Sequence, residues 1–544
     1  MVREHWVNLN GLWDLAITKG GDIDSATFDK EILVPFPVES VLSGVGLHVG
    51  EDDFIWYKRT FEKPEGDKVL LHFGAVDFDA TVFVNGLEVG HHAGGYDPFT
   101  FDITEALSSL SAQELLVRVT DPSDAGSQPR GKQVLKPSGI YYTPNSGIWQ
   151  TVWLEAVPAI SIEKFVLEAD PKTSLLTVDF KVRGNDKGVS YVVQVKVGGD
   201  VIAEGVNSAS SKVSLTVPDL HLWSPNDPFL YDLHLAIKNS TGEVIDSVAS
   251  YTAFRDISVQ PDAEGIMRIF FNGKPCFMIG PLDQGFWPDG IYTAPTDEAL
   301  KFDIVETKRL GFNMIRKHVK VEPARWYYWC DKLGIIVWQD MPSGDKSITP
   351  EEPDIERTPE SAAQFEKELK AMIDAFRNHP SIVCWIPFNE GWGQYDTARI
   401  TDFVRELDST RIIDSTTGWA DRGVGDMIDW HIYPGPEAPQ PEAKRVSVLG
   451  EFGGLGLPIP GHMWQAEHWG YQSYKTEDEL TEAFVESFHK VKLLISDPGL
   501  SAAIYTQTTD VETEANGLYT YDREILKMDA AVIQQAVLAL IEGQ

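Results

Sequence analysis

The sequence predicts two β-sandwich domains followed by a (β/α)8 barrel. Up to about residue 256 it reads as short alternating apolar runs, broken by Gly, Asp and Pro turns. Beyond that point apolar runs alternate with helical stretches. Eight such runs in about 285 residues have the periodicity and size of a barrel. A chain of 544 residues with 43% hydrophobic content has room for about three domains.

Residues 1–158 form the first unit. KVLLHFGAV, ATVFVNGLEVG and ELLVRVT alternate apolar and polar positions, and Asn85–Gly86 signals a two-residue hairpin. GIWQTVWLEAV closes the unit. Residues 159–256 repeat the pattern through KFVLEAD, LLTVDFKVR, YVVQVKV, KVSLTVP, LYDLHLAI and EVIDSVASYTAF. About seven strands in about a hundred residues is the number of an immunoglobulin-like sandwich. Residues 257–544 form the barrel. Its expected strands are CFMIGPLD, FNMIRKH, IIVWQD, SIVCWIPFNE, RIIDSTTG, DMIDWHI, VSVLGEFGG and LSAAIYTQ, each feeding toward a helix or loop. Leu300, Ile304 and Leu310 have helical spacing, and WYYWCDKLG reads as a helix of the barrel wall.

The formal net charge of −36, from 46 basic and 82 acidic residues, repels phosphate backbones and argues against a nucleic-acid partner. The three cysteines, Cys276, Cys330 and Cys384, have neither disulfide nor zinc-site spacing. Cys330 and Cys384 read as small buried apolar residues. The first thirty residues lack a signal-type apolar core, and no run of about 18 apolar residues occurs. The expectation is a cytoplasmic protein with no membrane partner, or a secreted or periplasmic one if a signal was trimmed.

Two glutamates carry the chemistry. Glu390 follows the apolar run Ser381–Phe388, and Glu451 follows Val446–Gly450. Each sits where a buried strand ends, the position at which barrel enzymes keep their reacting groups. Two carboxyls on neighbouring strand ends are what glycosidic cleavage needs: one protonates the leaving oxygen, the other traps the oxocarbenium-like centre. A separation of about 5–5.5 Å means retention, and about 6.5–9.5 Å inversion. Either glutamate alone reads equally well as a strand-end ion-pair partner; the pair, with glycines around each, favours catalysis. Asn389 can hydrogen-bond a sugar hydroxyl, and Trp385 and Trp392 supply aromatic surface near Glu390. Gly450, Gly453 and Gly454 leave space for close approach to Glu451.

Other strand ends hold polar groups that suggest a rim for sugar hydroxyls: Asp283, Gln284, Arg316, His318, Asp340, His431, Tyr433, Gln507 and Asp510. Arg316 can hold a neighbouring carboxylate ionised. For each, an inter-strand bond or helix cap is the competing reading. Trp287, Trp419, Trp464, Trp469 and Tyr471 follow these strands; loop aromatics stack on sugars, or else pack domains together. His318 and His431 lack metal-site spacing, so neither a metal nor any other cofactor is expected.

These motifs resemble glycoside hydrolase family two, which contains β-galactosidases, β-glucuronidases and β-mannosidases. NLNGLWDLAI, WYKRTF, VFVNGLEVGHHAGGYDPFTFDIT and SGIWQTVWLE are similar to its jelly-roll sugar-binding domain. LWSPNDPFLYDLHLAI resembles the end of its immunoglobulin-like domain. GFNMIRKH, KLGIIVWQDMP, NHPSIVCWIPFNEGW and VLGEFGG resemble its barrel motifs. The resemblance implies Glu390 as acid/base, Glu451 as nucleophile, Asn389 on the sugar 2-hydroxyl and Arg316 beside the nucleophile. His318 departs from the β-galactosidase pattern, with one residue rather than two after the arginine. No Asn-x-Lys motif of the β-glucuronidase kind follows Glu451, and IYTQTTDVETEANGLYTYDR replaces the usual Trp-rich ending of the eighth strand. The expectation is an exo-acting, retaining glycoside hydrolase on an oligosaccharide or glycoside, a homo-oligomer by analogy. α-L-Arabinosidase, transglycosylase, metal-dependent barrel hydrolase and a catalytically decayed carbohydrate-binding protein are the alternatives.

Overall fold

A computed structural model describes residues 1–541. The first sandwich packs a six-stranded sheet against a four-stranded one. In the strand Ala112–Thr120, Leu115, Val117 and Val119 are buried at every second position, so period-two patterning delivers one apolar face to the core. Asn85 (φ 50°) and Gly86 (φ 79°) join Asp79–Val84 to Leu87–Ala93, as expected of a tight hairpin. After Thr120 the chain leaves the sandwich in a long excursion, residues 121–146, before returning at Gly147–Ile148.

The second sandwich has seven strands from Ser161 to Thr252, in a three-stranded and a four-stranded sheet. Arg3 ties it to the first through Asp246 and Glu155. Arg255 ties it to the barrel floor by donating to the carbonyls of Pro380, Thr410 and Ile382. A small three-stranded sheet, Ile257–Pro261, Met267–Phe271 and Lys274–Pro275, precedes the barrel.

The barrel strands are β1 (Met278–Asp283), β2 (Met314–Lys317), β3 (Ile336–Asp340), β4 (Ile382–Ile386), β5 (Ile412–Ile413), β6 (Met427–Ile432), β7 (Val446–Gly453) and β8 (Leu500–Thr506), all pairing in parallel. The ladder runs β5-β4-β3-β2-β1-β8-β7-β6, and Asp426 bridges the remaining gap with its N–H on the Ile413 carbonyl and its carboxylate on the Ile413 N–H. The helices are α1 (Asp297–Arg309), α2 (Ala324–Leu333), α3 (Pro359–Phe376), α4 (Thr397–Leu407), α5 (Glu477–Ser496) and α6 (Ala530–Ile541). Loops, not helices, follow β5 and β6. Helix α2 buries Trp326, Tyr327 and Cys330, the wall role expected of WYYWCDKLG. Among the described residues no helix is long and apolar enough to cross a membrane.

Candidate active site

Arg316 organises the mouth of the barrel. It lies in β2 with no exposure and spreads its five donors inward. Nε and Nη2 donate to the two Asp340 oxygens at 3.1 and 3.0 Å. Nη1 reaches Glu451 Oε1 at 3.2 Å, and Nη2 also reaches Asn389 Oδ1 at 2.8 Å and Thr417 Oγ1 at 2.9 Å. A planar fork can serve this many acceptors at once, which an ammonium cannot. Tyr433, just beyond β6, donates to Glu451 Oε2 at 2.5 Å.

Glu390 stands beyond the end of β4 at φ +50°, a left-handed conformation that costs a non-glycine residue roughly 1 kcal/mol or more. Its Oε1 lies 2.8 Å from His431 Nδ1, which is also 3.5 Å from Glu451 Oε1. Facing carboxylates on that side, Nδ1 carries the proton. Donor atoms of Glu390, His431 and Glu451 all lie within 4.8 Å of one another. Burial alone would neutralise Glu451, but His431, His318, Arg316 and Lys132 outweigh it and hold the carboxyl down at about 2. Burial, with Lys132 and Arg316 behind it, pushes His318 well below its ordinary range. A neutral His318 donates from Nδ1 to Asp340 at 2.9 Å.

Asn389 is oriented through its oxygen, and among the described residues its buried Nδ2 donor has no partner. Such a donor is open to a ligand hydroxyl. Gln284 and Gln507 line a second polar wall. Gln284 Nε2 donates to Gln507 Oε1 at 2.7 Å and to the Tyr142 hydroxyl at 2.8 Å, and Gln507 donates to Asn516. Tyr142 in turn donates to Glu514. Trp392 is half-buried against Tyr141, with ring centroids 5.6 Å apart. Tyr471 stacks on Tyr433 at 3.8 Å, and the exposed Trp419 meets His431 edge-on at 5.9 Å.

Several expected rim residues face elsewhere. Alternation along β2 sends Arg316 inward and Lys317 outward, against Trp326 of α2. Asp283 follows Lys317 outward and is held by it at 2.8 Å. Asp510 is buried on Lys527 at 2.5 Å and on the Gly517 N–H. Trp385 is fully buried in the layer between barrel and helices, bonded to Asp408. Trp287 is covered by the Arg523 guanidinium at 3.8 Å. Trp464 is 44% exposed, and no described contact ties it to the carboxylates. The glycines around Glu451 serve packing: a Cβ on Gly450 would lie 2.1 Å from Asp429 Oδ2, and one on Gly453 or Gly454 would strike Tyr505 or Tyr471.

Sequence reasoning missed Thr417, Asp429, Glu514, Lys132 and Tyr141. Thr417 follows a strand and was accessible to the strand-end rule. Asp429 accepts the Gly450 N–H at 2.7 Å and adjoins Asp414. Burial pushes both acids up, Asp414 to about 6. Lys132 and Tyr141 come from the 121–146 excursion, where no spacing marks them. The excursion is pinned to the barrel mouth by Arg130 and Gly131 N–H groups on the Ser343 carbonyl, and by Trp469 Nε1 on the Gly139 carbonyl at 2.9 Å. A second cluster of possible metal donors, His462, Asp522 and Glu524, lies on the surface.

Family models match three consecutive segments. Residues 46–147 match the glycosyl hydrolase 2 galactose-binding domain-like model, 160–255 the glycosyl hydrolases family 2 model, and 293–535 the glycosyl hydrolases family 2 TIM barrel domain. A β-galactosidase of Thermoanaerobacter pseudethanolicus is 26% identical over 392 residues, 65% of this chain and 47% of that protein. A β-glucuronidase of Paenibacillus borealis is 26% identical over 417 residues, covering 70% and 67%. The structure of a β-D-glucuronidase of Dictyoglomus thermophilum shares the fold with a TM-score of 0.79 at 18% identity, over 99% and 98% of the two chains. The chain spans about a third to a half of the length of the first curated relatives it matches.

Proposed function

The chain belongs to glycosyl hydrolase family 2, and from that premise we propose that it is an exo-acting, retaining glycosidase that removes a terminal non-reducing sugar. The observation that carries this reading is the approach of Glu390 and Glu451, with an oxygen of each within 4.8 Å. That spacing supports direct attack over inversion by an intervening water.

In the first step Glu390 gives its proton to the glycosidic oxygen while a Glu451 oxygen attacks the anomeric carbon. The bond to the leaving group breaks, and a glycosyl ester forms on Glu451. In the second step Glu390 takes a proton from water, whose oxygen displaces Glu451 and releases the sugar. Arg316 and Tyr433 keep the nucleophile ionised and aimed. Asn389 offers its free Nδ2 to the 2-hydroxyl, where hydrogen bonds strengthen in the transition state. His431 links the two carboxyls and holds Glu390 in its strained position. The excursion from the first sandwich closes one side of the barrel mouth, which supports an exo-acting pocket over an open cleft.

Initial rates on aryl β-galactosides, β-glucuronides, β-mannosides, β-glucosides and both α-L-arabinosides test the reading, with Glu451→Gln as the blank. Turnover by the wild type alone, with the anomeric configuration of the first product retained by NMR, is expected. Equal rates in the Glu451→Gln protein, or an inverted product, would sink it.

A further inference from the structure

Among the described residues four lysines are buried: Lys132, Lys317, Lys320 and Lys527. Three have carboxylate partners. Lys317 pairs with Asp283 and Glu322, Lys320 with Glu322, and Lys527 with Asp510. Lys132 is 6% exposed, and none of the described ion pairs includes it. A lysine this enclosed, with no carboxylate paired to it, calls for a reason at a ligand site.

The surroundings of Lys132 supply one. The ammonium sits 5.7 Å from the centre of the Tyr142 ring and 5.9 Å from that of Trp392, two residues after Glu390. Its charge acts on Glu451, His318 and Glu514. The nearby carboxylates are already engaged: Glu451 by Arg316 and Tyr433, Glu514 by Tyr142 and Asn516. The backbone beside Lys132 is fixed, since a Cβ on Gly131 would come within 2.6 Å of the Val319 carbonyl. A net charge of −36 repels anions from the protein as a whole, so an acidic ligand needs a local cation to be held.

We propose that Lys132, reaching the barrel mouth from the first sandwich, anchors the carboxylate of an acidic sugar, making the substrate a uronic acid glycoside. This rests on the reading of Glu390 and Glu451 as the catalytic pair. A carboxylate accepts from the ammonium and neutralises it, whereas a neutral hydroxyl leaves the charge unpaired.

The test compares wild type, Lys132→Met and Lys132→Arg on aryl uronides and their neutral and 6-sulfated congeners, in both anomers. Calorimetry of glucuronate, galacturonate, glucose and galactose on the Glu451→Gln protein, with and without Lys132→Met, runs beside it. The wild type is expected to prefer the uronide. Lys132→Met should cut that preference by about 30-fold or more, the effect of removing one partner of a buried charge pair, and Lys132→Arg should restore part of it. Melting curves check that both variants are folded. Equal loss on acidic and neutral substrates, or an equal preference for sulfated sugars, overturns the assignment. Turnover of neutral glycosides alone overturns the anchor and leaves the glycosidase reading standing. Lys132-dependent binding of uronates without any hydrolysis does the reverse. Silence in both assays overturns both.

Discussion

Arg316 and Glu451 meet at 3.2 Å inside the barrel, and the same guanidinium orients Asp340, Asn389 and Thr417. Arg316→Lys keeps the charge but has three donors where the site uses five, so it should lower kcat/KM by about 30-fold or more. A folded Arg316→Lys protein with wild-type rates would show that orientation by Arg316 is dispensable.

The depressed Glu451 predicts the acid side of the pH profile. Its folded value of about 2 lies below the ordinary 4.5, so ionisation stabilises the fold above the ordinary value and is lost as pH falls through about 2. Glu451 should therefore stay ionised down to about pH 3. In Arg316→Lys, an acid limb of kcat/KM that moves up in pH is expected; the pH–rate profile of both proteins decides.

Glu390→Gln should cost about 10²–10⁴-fold on substrates with basic leaving groups, which need the proton. Dinitrophenyl leaving groups need none and should lose far less in the first step. A plot of log rate against leaving-group pKa that keeps the wild-type slope would remove Glu390 from the acid role.

Glu39 is buried in the first sandwich, with Oε2 accepting from the Ser146 N–H and, among the described residues, no partner for Oε1. Burial, opposed only by hydrogen bonds to Ser146 and its own backbone, pushes its carboxyl up to about 8. For a carboxyl raised in this way, stability is full below the ordinary value and is lost as pH rises toward 8. Glu39→Gln should accordingly raise the melting temperature at pH 8, by about 1–3 kcal/mol in stability, and change it little at pH 4. Thermal melts at the two pH values measure the difference.

Glu390, His431 and Glu451 could in principle ligate a metal. With both carboxylates assigned to the covalent mechanism, prolonged chelation should leave kcat unchanged. Loss of activity restored by one divalent cation would replace that mechanism with a metal-assisted one.

Much of this architecture was legible because each element obeys its own period. Alternation marks the sandwich strands, and apolar runs followed by helical spacing mark the barrel strands. Glu390, Glu451, Arg316 and Asn389 could be singled out because a polar group at the end of a fully buried strand has no local reason to be there. The same rule also singled out Asp283 and Asp510, whose carboxylates lysines engage. A strand end presents side chains to both faces, and one sequence does not say which face a residue takes once the strand twists and pairs. Asp283 was drawn outward by Lys317, and Asp510 was absorbed by Lys527.

The sequence by itself determined the order of domains, the eight barrel strands and the two glutamates, since these follow from local periodicity and residue chemistry. Only the tertiary structure decided that the glutamate oxygens lie within 4.8 Å, that His431 links them, and that Lys132 comes from another domain to lie near Trp392. Those relations join residues that no spacing rule connects. They arise from closure of the sheet into a barrel and from the docking of the 121–146 excursion on its mouth.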